Sequence, residues 1–562
     1  DIAQLSEAVE RKGDEGRADG DEGEAAANEN KKRGHKDKHS RNNRKKRGGG
    51  QTHDRVVTRH VEDEVQLCFK IAKGVECDKG DSCKLNHDIK KYLDAKDKDL
   101  GNRCPNFEIY GECHYGYKCR FLNAHIDADD RLIRDEEKMA RVGPQTLNVF
   151  SHDLTLQLRS FKFEFKRAET YLTEMAHELA QASRQKGTTE QDPSKSDELD
   201  LEGRELKIPK SPTVHEEEVT HSDTPDVPLR ACEKKKMAMA SNLVQGHKGE
   251  MALLKRHKTE DIFGVQLTGN KVDVVVRACD MINQMTEVDF VDLNMGCPID
   301  LVFNAGAGSG LLGSPGKMKR MVRGMKSVLD VPVTVKFRMA IYDKKPIGAH
   351  MTHIFHGLGA VLATLHGRSR QQRYTKLADW DYVKECAMTD RGILGSDNYM
   401  PLFGNGDILG PSDYYRHLEE HRVDGCMIAR GALMKPWIFE EIKTNRDWDI
   451  SSGERFDMMK RFCDYGLEHW GSDTQGVNQT RRFLLEWQSF LHRYVPVGLL
   501  TILPQKMNDR PPAFVGRNDL ETLMASQDVK DWIKLSEMIL GPAPEAFRFD
   551  PKHKSNSTSV EG

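Results

Sequence analysis

The sequence FVDLNMGCP, residues 290–298, combines a short strand with a turn that carries one cysteine. Apolar and polar residues alternate over VDLN, which is the pattern of a β-strand, and Gly296 and Pro298 end the strand. Cys297 therefore stands at the carboxyl end of a strand, where a catalytic group can be presented. A buried structural cysteine is the alternative interpretation of this residue.

The same strand character recurs along the chain beyond residue 260. The six segments are IFGVQL at 262–267, FVDLNMG at 290–296, VPVTVKFR at 331–338, AVLATLHG at 360–367, MPLFGNGD at 400–407 and GCMIARG at 425–431. The stretches between them have helical periodicity, so the connections are crossovers and the sheet is parallel. This α/β rhythm predicts a TIM (β/α)8 barrel. A doubly wound parallel sheet is the structural alternative, although no turn here carries its dinucleotide-binding pattern.

Polar residues follow successive strands at their predicted carboxyl ends. They are Gln266, Asn294 with Cys297, Lys336 with Arg338, His366 with Arg368, Asn405 with Asp407, and Arg430. The carboxyl ends of barrel strands meet at one face, so these residues predict one active site. The late turns GNGD and ARGA can offer backbone N–H groups to a phosphate, and flavin mononucleotide (FMN) fits such a site.

Two segments ahead of the barrel repeat one spacing of cysteine and histidine, C-x8-C-x5-C-x3-H and then C-x8-C-x5-C-x5-H. The predicted ligands are Cys68, Cys77, Cys83 and His87, followed by Cys104, Cys113, Cys119 and His125. Three thiolates and one imidazole form the tetrahedral set that structural zinc prefers, and a segment of about twenty residues has too little core to fold without it.

These spacings resemble the CCCH zinc-finger family, whose members bind single-stranded RNA. The segments also carry aromatic residues among lysines and arginines, namely Phe69, Phe107, Tyr110, Tyr115, Tyr117 and Phe121. Aromatic side chains interleaved with cations stack bases and hold phosphates. Some of these six must instead pack the fingers.

The composition indicates two or three folded units joined by disordered segments, because 562 residues exceed one core and only 37% are hydrophobic. The predicted division has seven parts. They are a disordered arm (1–60), the two fingers (61–126), connecting helices (127–180), a flexible linker (181–228), the barrel (229–435), a C-terminal helical domain (436–548) and a tail (549–562).

The net charge of −3 conceals a basic run at residues 31–47, which carries ten Lys or Arg against one Asp. Such a run suggests nucleic-acid binding or nuclear import, and a solvated tail is the alternative. Twelve cysteines occur without a secretory signal, and no apolar run has the length of a membrane span. We therefore expect a reducing compartment, the cytoplasm or nucleus, and no membrane partner.

The barrel motifs resemble the tRNA-dihydrouridine synthase family, and the fingers single out its eukaryotic type that acts on the variable-loop uridine. The motifs, in chain order, are FGVQL, VDLNMGCPIDLV, VTVKFR, TLHGRSRQQRYTKLADW, LFGNGD and MIARGAL. The resemblance implies reduction of the uracil C5–C6 double bond in tRNA, and also in mRNA, by an enzyme that uses FMN, NADPH or NADH, and zinc. It further implies that the C-terminal helices grip tRNA together with the fingers, and a helical bundle that only covers the barrel is the alternative. We also expect a monomer.

The resemblance also assigns roles to individual residues. Cys297 matches the family's proton donor to C5, while reduced flavin gives hydride to C6. By motif, the flavin ring contacts are Gln266, Lys336 and His366, and the ribityl and phosphate contacts are Asn405, Gly406, Asp407, Ala429 and Arg430. The candidates for uracil and backbone contacts are Asn294, Arg338 and Arg370.

One departure from the family lies where Cys232-Glu-Lys-Lys-Lys236 passes directly into Met237. About thirty residues that hold the first strand, a helix and most of the second strand are absent there, which leaves an eight-stranded barrel incomplete. Two further functions therefore stay open. One is an RNA-binding protein with a flavin-free barrel, and the weaker one is an FMN barrel of the dihydroorotate dehydrogenase type, although such an enzyme needs no RNA-binding fingers.

Overall fold

The computed structural model describes residues 65–186, 235–343, 345–374, 376–394, 399–499 and 514–551. The basic run at 31–47 and the whole predicted arm lie outside the described residues, as does most of the predicted linker. The predicted linker start at residue 181 is wrong, because a helix continues through Lys186. The sequence KRAETYLTEMAHELAQASRQK contains no Gly or Pro to end that helix earlier.

A sheet of seven parallel strands forms the centre of the molecule, and its strands follow each other in chain order. They are β1 (Lys235–Met239), β2 (Gly264–Thr268), β3 (Phe290–Met295), β4 (Val333–Ala340), β5 (Leu362–Ser369), β6 (Leu402–Asn405) and β7 (Gly425–Met427). Every residue of β2 and β3 is buried. Burial on both faces is typical of a parallel sheet covered by helices.

The described parallel sheet contains all six expected strands and one more, β1. At most the segment MAMAS, residues 237–241, was expected to keep the tail of the family's second strand, yet β1 begins at Lys235 and pairs with β2 at all five positions. The pattern KKMAM is too polar to predict a strand by itself, so pairing with the buried β2 decides its conformation. Within the described residues, β1 and β7 form the two ends of an open sheet, which agrees with the expected loss of the first strand.

The two fingers are built from short helices and turns. Their α-helices are α1 (Phe69–Ala72), α2 (Ile89–Ala95) and α3 (Pro105–Tyr110), and their 3-10 helices are Gly80–Ser82, Gly116–Lys118 and Leu122–Ala124. Only a small apolar cluster around Leu67, Tyr92 and Tyr117 is shared by the two fingers. A core this small contributes little stability, and metal bound at the sites described below would supply the rest.

The connecting segment contains α4 (Glu136–Arg141), α5 (His152–Arg159) and α6 (Lys166–Lys186). It packs on the barrel, since the Ala168 N–H donates to the Asp280 carboxylate (2.9 Å) and the Tyr171 hydroxyl donates to the Arg320 carbonyl (2.7 Å). A short antiparallel ribbon between Thr146–Leu147 and Arg256–His257 adds a second attachment. The segment is therefore part of the outer layer of the barrel.

Nine helices surround the described sheet or cap its loops. They are α7 (Ala240–Val244), α8 (Lys248–Ala252), α9 (Val272–Met285), α10 (Asp300–Asn304), α11 (Pro315–Val328), α12 (Gly348–Gly357), α13 (Trp380–Leu394), α14 (Pro411–His421) and α15 (Arg430–Met434). A 3-10 helix at Gly308–Gly313 follows α10. The longer helices bury one apolar face against the strands, as Met318, Met321 and Met325 do on α11.

The C-terminal region is helical, as expected. Its described helices are α16 (Ile438–Thr444), α17 (Ser452–Trp470), α18 (Thr474–Leu491), α19 (Asp519–Ala525) and α20 (Val529–Leu540). Ser451 and Glu454 form a capping box at the start of α17, which fixes where that helix begins. Among the described helices, none has both the length and the apolar character needed to cross a membrane.

Candidate active site and zinc centres

Cys297 lies in a fixed turn directly after β3. The side-chain oxygen of Asn294 accepts hydrogen bonds from the backbone N–H groups of Gly296 (3.1 Å) and Cys297 (2.9 Å). On the other side of the turn, the Ser309 hydroxyl donates to the Cys297 carbonyl oxygen (2.8 Å). Cys297 is only 8% exposed. These contacts hold the backbone of the cysteine from both sides, and its side chain packs beside Val302 and Ala307.

Burial raises the pKa of the Cys297 thiol above its ordinary value, while a hydrogen bond from the Ile299 backbone, and after it the charges of Arg338 and Lys336, lower it in part. A thiol with a raised pKa is protonated at neutral pH. It can act as a general acid, and the two cations would stabilise the thiolate that remains after proton transfer.

A hydrogen-bonded row of side chains crosses the sheet next to this turn. The Gln266 amide donates to the Asp292 carboxylate (2.6 Å), and its oxygen accepts from the Asn294 amide (2.7 Å). The Thr334 hydroxyl also donates to Asp292 (2.6 Å). Gln266 and Asn294, predicted to contact flavin and uracil respectively, thus lie side by side. Asp292 fixes the orientation of the Gln266 amide.

His366 lies on β5 among cations. Burial, with Arg338 and Lys336 adding charge repulsion, holds the pKa of the His366 imidazole well below its ordinary value. His366 is therefore neutral, and its Nε2 lies 3.3 Å from an Arg368 guanidinium nitrogen. Strand register places Lys336 between Asn294 on β3 and Thr364 on β5, so the predicted ring contacts line one region of the sheet.

Two arginines meet on one carboxylate at the far side of this region. Asp407 accepts from Arg368 (2.5 Å) and from Arg430 (3.0 Å), and also from the Ala378 backbone N–H (2.9 Å). Asp407 itself has a left-handed backbone, with φ of 53°. The carboxylate therefore orients two guanidinium groups at the ends of β5 and β7.

The turns after β6 and β7, GNGD and ARGA, bring the other predicted phosphate contacts close to Asp407. Gly406 has φ of 136°, and a Cβ there would stand 2.5 Å from the Ala378 side chain, so only glycine fits. The Asn405 amide is held by the Met427 carbonyl (2.8 Å). Ala429 directly precedes α15 and Arg430 begins it.

Arg338 ties the cysteine turn to the loop after β5. It donates to the carbonyl oxygens of Gly296 (2.9 Å) and Ser369 (2.8 Å). Burial lowers the pKa of Arg338 to about 10, which leaves it cationic at neutral pH.

Arg370, the third predicted substrate contact, instead pairs with Asp300 (2.6 Å) and stacks on Phe303, with its guanidinium 3.7 Å from the ring centroid.

Several residues at the site were not assigned from sequence. They are Asp292, Asp300, Ser309, Arg368 and Tyr374. The Tyr374 ring is 48% exposed and lies 4.6 Å from Arg430, 5.6 Å from Arg338 and 5.9 Å from Arg368. Two of them carried a signal in the sequence. Arg368 was one of the polar residues at the predicted strand ends, and Asp292 is an acidic residue inside the otherwise apolar strand FVDLNM.

The eight predicted metal ligands form two clusters, one in each finger. Within each cluster the four ligand atoms lie within 4.8 Å of one another. Nε2 of His87 and Nε2 of His125 are buried and without a hydrogen-bond partner, as expected of nitrogens that bind a metal. The longer spacing before His125 does not keep it from its cluster. The donor set of three sulfurs and one nitrogen fits zinc.

A dihydrouridine synthase (Dus) family model matches residues 232–487, and a DUS3L CCCH zinc finger domain model matches residues 64–95 and 96–128. Proteins named tRNA-dihydrouridine(47) synthase-like from Xenopus laevis and Homo sapiens are 44% and 43% identical to the chain. Each match covers 91% of this chain, and 83% and 84% of the relative. A tRNA-dihydrouridine(47) synthase from Coprinopsis cinerea is 40% identical, over 89% of this chain and 88% of its own.

The chain belongs to the dihydrouridine synthase family. The predicted family and fold class are confirmed, and the dihydroorotate dehydrogenase alternative falls away. The dihydrouridine synthase family uses FMN and NADPH, and the fingers support zinc. The assignments of single site residues stay predictions.

The residues of this dihydrouridine synthase fit FMN. The buried hydroxyl of Thr364 has no hydrogen-bond partner, and it lies on the same face of β5 as His366. A polar ring system would satisfy it. Lys336 on the neighbouring β4 pairs with Thr364, and Gln266 lies two strands further along the sheet, on β2. Arg368 and Arg430 supply the charge that a phosphate needs.

Proposed function

We propose that this chain reduces a uridine of tRNA to 5,6-dihydrouridine, with Cys297 as the proton donor. The observation that carries the proposal is a buried thiol in a turn held at the end of β3, which Arg338 also contacts. When bound, FMN reduced by NAD(P)H supplies the hydride for uracil C6. Cys297 gives its proton to C5, so the double bond gains two hydrogens, and the thiolate recovers a proton from solvent.

Other residues hold the cysteine, and would hold the flavin, in position for this reaction. Asn294 and Ser309 hold the cysteine backbone, and Arg338 ties the turn to the loop after β5. Lys336 and Gln266 would hold the flavin ring, while Arg430 and Arg368 would hold its phosphate. Neutral His366 can donate or accept a hydrogen bond without adding charge to the site.

The target is the uridine at position 47, as the names of the relatives print. A base in a folded tRNA must be turned out of its stack to reach Cys297. The fingers and the α16–α20 helices would grip the tRNA around it. Because the chemistry needs only an accessible uridine, mRNA is a further candidate substrate. Action as a monomer in the cytoplasm or nucleus is part of the proposal.

The experiment compares dihydrouridine formation on a tRNA transcript by wild type and Cys297→Ala. Loss of a general acid lowers the rate by about 100-fold or more. Cys279→Ala is the matched control, since Cys279 is equally a buried thiol but lies on α9 away from the site. Equal rates for Cys297→Ala and wild type would overturn the role of Cys297.

RNA binding without reduction is the second candidate function. The observation that favours it is the open sheet, in which β1 and β7 are the end strands of the described residues. Purified protein that stays colourless after incubation with FMN, yet binds tRNA, would support this function instead.

A further inference from the structure

The second finger is docked on the C-terminal helices. Arg103 makes a bidentate ion pair with Asp464 on α17 (2.8 and 3.1 Å), and the Arg120 backbone N–H donates to the Ser472 carbonyl (2.8 Å). Its buried residues Cys104, Cys119 and Phe121 share an apolar cluster with α17 and α18. Much of the outer surface of this finger is therefore covered by protein.

This docking, together with packing within and between the fingers, accounts for five of the six aromatic residues in the fingers. Tyr117 and Phe121 are each 5% exposed. Tyr110 donates to Glu468 on α17, and the Tyr115 ring fills the space over Gly471, where a Cβ would meet it at 2.4 Å. Phe107 packs beside the ligand His125, at 5.6 Å between ring centroids.

Phe69 differs from the other five, because 68% of it is exposed. It begins α1 in the first finger, and the Lys118 ammonium of the second finger lies 4.8 Å from its ring centroid. An exposed ring beside a cation has the composition of a site where a base stacks and a neighbouring phosphate is held.

The position of Phe69 is fixed by the second finger. Gly116 has φ of 47°, and a Cβ there would stand 1.9 Å from the Ala72 carbonyl oxygen. The 3-10 helix Gly116–Lys118 thus lies directly against α1, and no larger residue fits between them. Because the second finger is itself docked on α17 and α18, Phe69 is held in a set position relative to the helical domain.

We propose that Phe69 stacks on an unpaired nucleobase of the RNA, with Lys118 beside it. The inference rests on the proposed function, which supplies a folded RNA as partner, and it assigns unequal tasks to the two fingers. The first finger presents the base-stacking ring, and the second finger anchors that ring to the helical domain. A nucleobase suits Phe69 because every base offers a flat π-face, whereas the adjacent lysine suits the negative backbone.

The test measures binding of the full chain to a tRNA transcript by fluorescence anisotropy. Phe69→Ala should weaken binding on the order of tenfold, and Phe69→Trp should restore it, because indole also stacks. The salt dependence of the affinity should not change in Phe69→Ala, since the lost side chain carries no charge, whereas Lys118→Gln should reduce its slope.

Phe161→Ala is the matched control, because Phe161 is 86% exposed but lies on the connecting segment between α5 and α6. Unchanged zinc content and melting temperature would show that Phe69→Ala is folded. Equal affinity of Phe69→Ala and wild type, or equal weakening by Phe161→Ala, would overturn the proposal. Weakening that Phe69→Trp does not restore would also overturn it.

The dihydrouridine assay separates this proposal from the proposed function. Wild type that makes no dihydrouridine, but binds tRNA through Phe69, would overturn the reductase alone. Wild type that makes dihydrouridine while Phe69→Ala keeps full affinity would overturn the stacking role alone. Wild type that does not bind tRNA at all would overturn both.

Discussion

The buried thiol of Cys297 sets how the rate of uridine reduction should depend on pH. The acid form of the thiol is the active one, and burial raises its pKa. The active form is therefore fully present at neutral pH and is lost only as pH rises through that raised pKa. We expect the single-turnover rate of pre-reduced enzyme to fall only above the ordinary thiol pKa of about 8.5. The assignment of Cys297 as the proton donor would be contradicted if the rate fell at a pH below the ordinary thiol pKa and if Cys297→Ala showed the same fall.

Arg430 should contribute directly to FMN affinity. Its guanidinium is oriented by Asp407 (3.0 Å), which still pairs with Arg368 when Arg430 is removed. A hydrogen bond to a charged group contributes about 1.5–3 kcal/mol, so Arg430→Ala should weaken FMN binding by about tenfold or more. Flavin fluorescence titration measures this. Arg416→Ala is the control, because Arg416 is a half-exposed arginine paired with Asp413 on α14.

The 3-10 helix Gly308–Gly313 supports the cysteine turn from behind. Gly308 has φ of 55°, and a Cβ there would stand 2.9 Å from both the Cys297 Cβ and the Val302 side chain. Gly308→Ala should therefore displace Cys297 and lower the rate of dihydrouridine formation by at least about tenfold. Gly249→Ala on α8 is the control, since apart from its chain neighbours and the backbone of its own helix no atom would lie within 4 Å of its Cβ. An unchanged rate in Gly308→Ala would show that the turn tolerates this displacement.

The elements differ in how far the sequence alone could predict them. The β3 strand and its cysteine turn were predictable, because strand alternation and the flanking Gly296 and Pro298 are local signals. The β1 strand was largely missed, since KKMAM becomes a strand only by pairing with β2. The orientation of Gln266 also depends on Asp292, which lies 26 residues further along the chain. Local patterns thus predict the candidate site residues but not the hydrogen-bond partners that orient them.

The docking of the second finger on the helical domain is the feature that sequence patterns predict least. Arg103 and Asp464 are 361 residues apart, and neither belongs to a recognisable motif. Near the same interface, Glu468 on α17 accepts from Tyr110 of the finger and lies 3.6 Å from His257 of the barrel. One carboxylate thus contacts the finger and the barrel from the helical domain. The spatial arrangement of these three parts follows from such contacts and not from the linking sequence.

This arrangement predicts that the two zinc centres differ in what they stabilise. Cys104 is fully buried in the apolar cluster that contains Met459, Cys463 and Leu467 of α17. Cys104→Ser should therefore loosen the helical domain as well as the second finger, and amide hydrogen exchange in α17 and α18 should become at least about tenfold faster. Cys77→Ser, which removes a ligand from the first finger, should leave exchange in α17 and α18 unchanged. Equal exchange in the two variants would contradict the idea that the second zinc centre is a structural part of the helical domain.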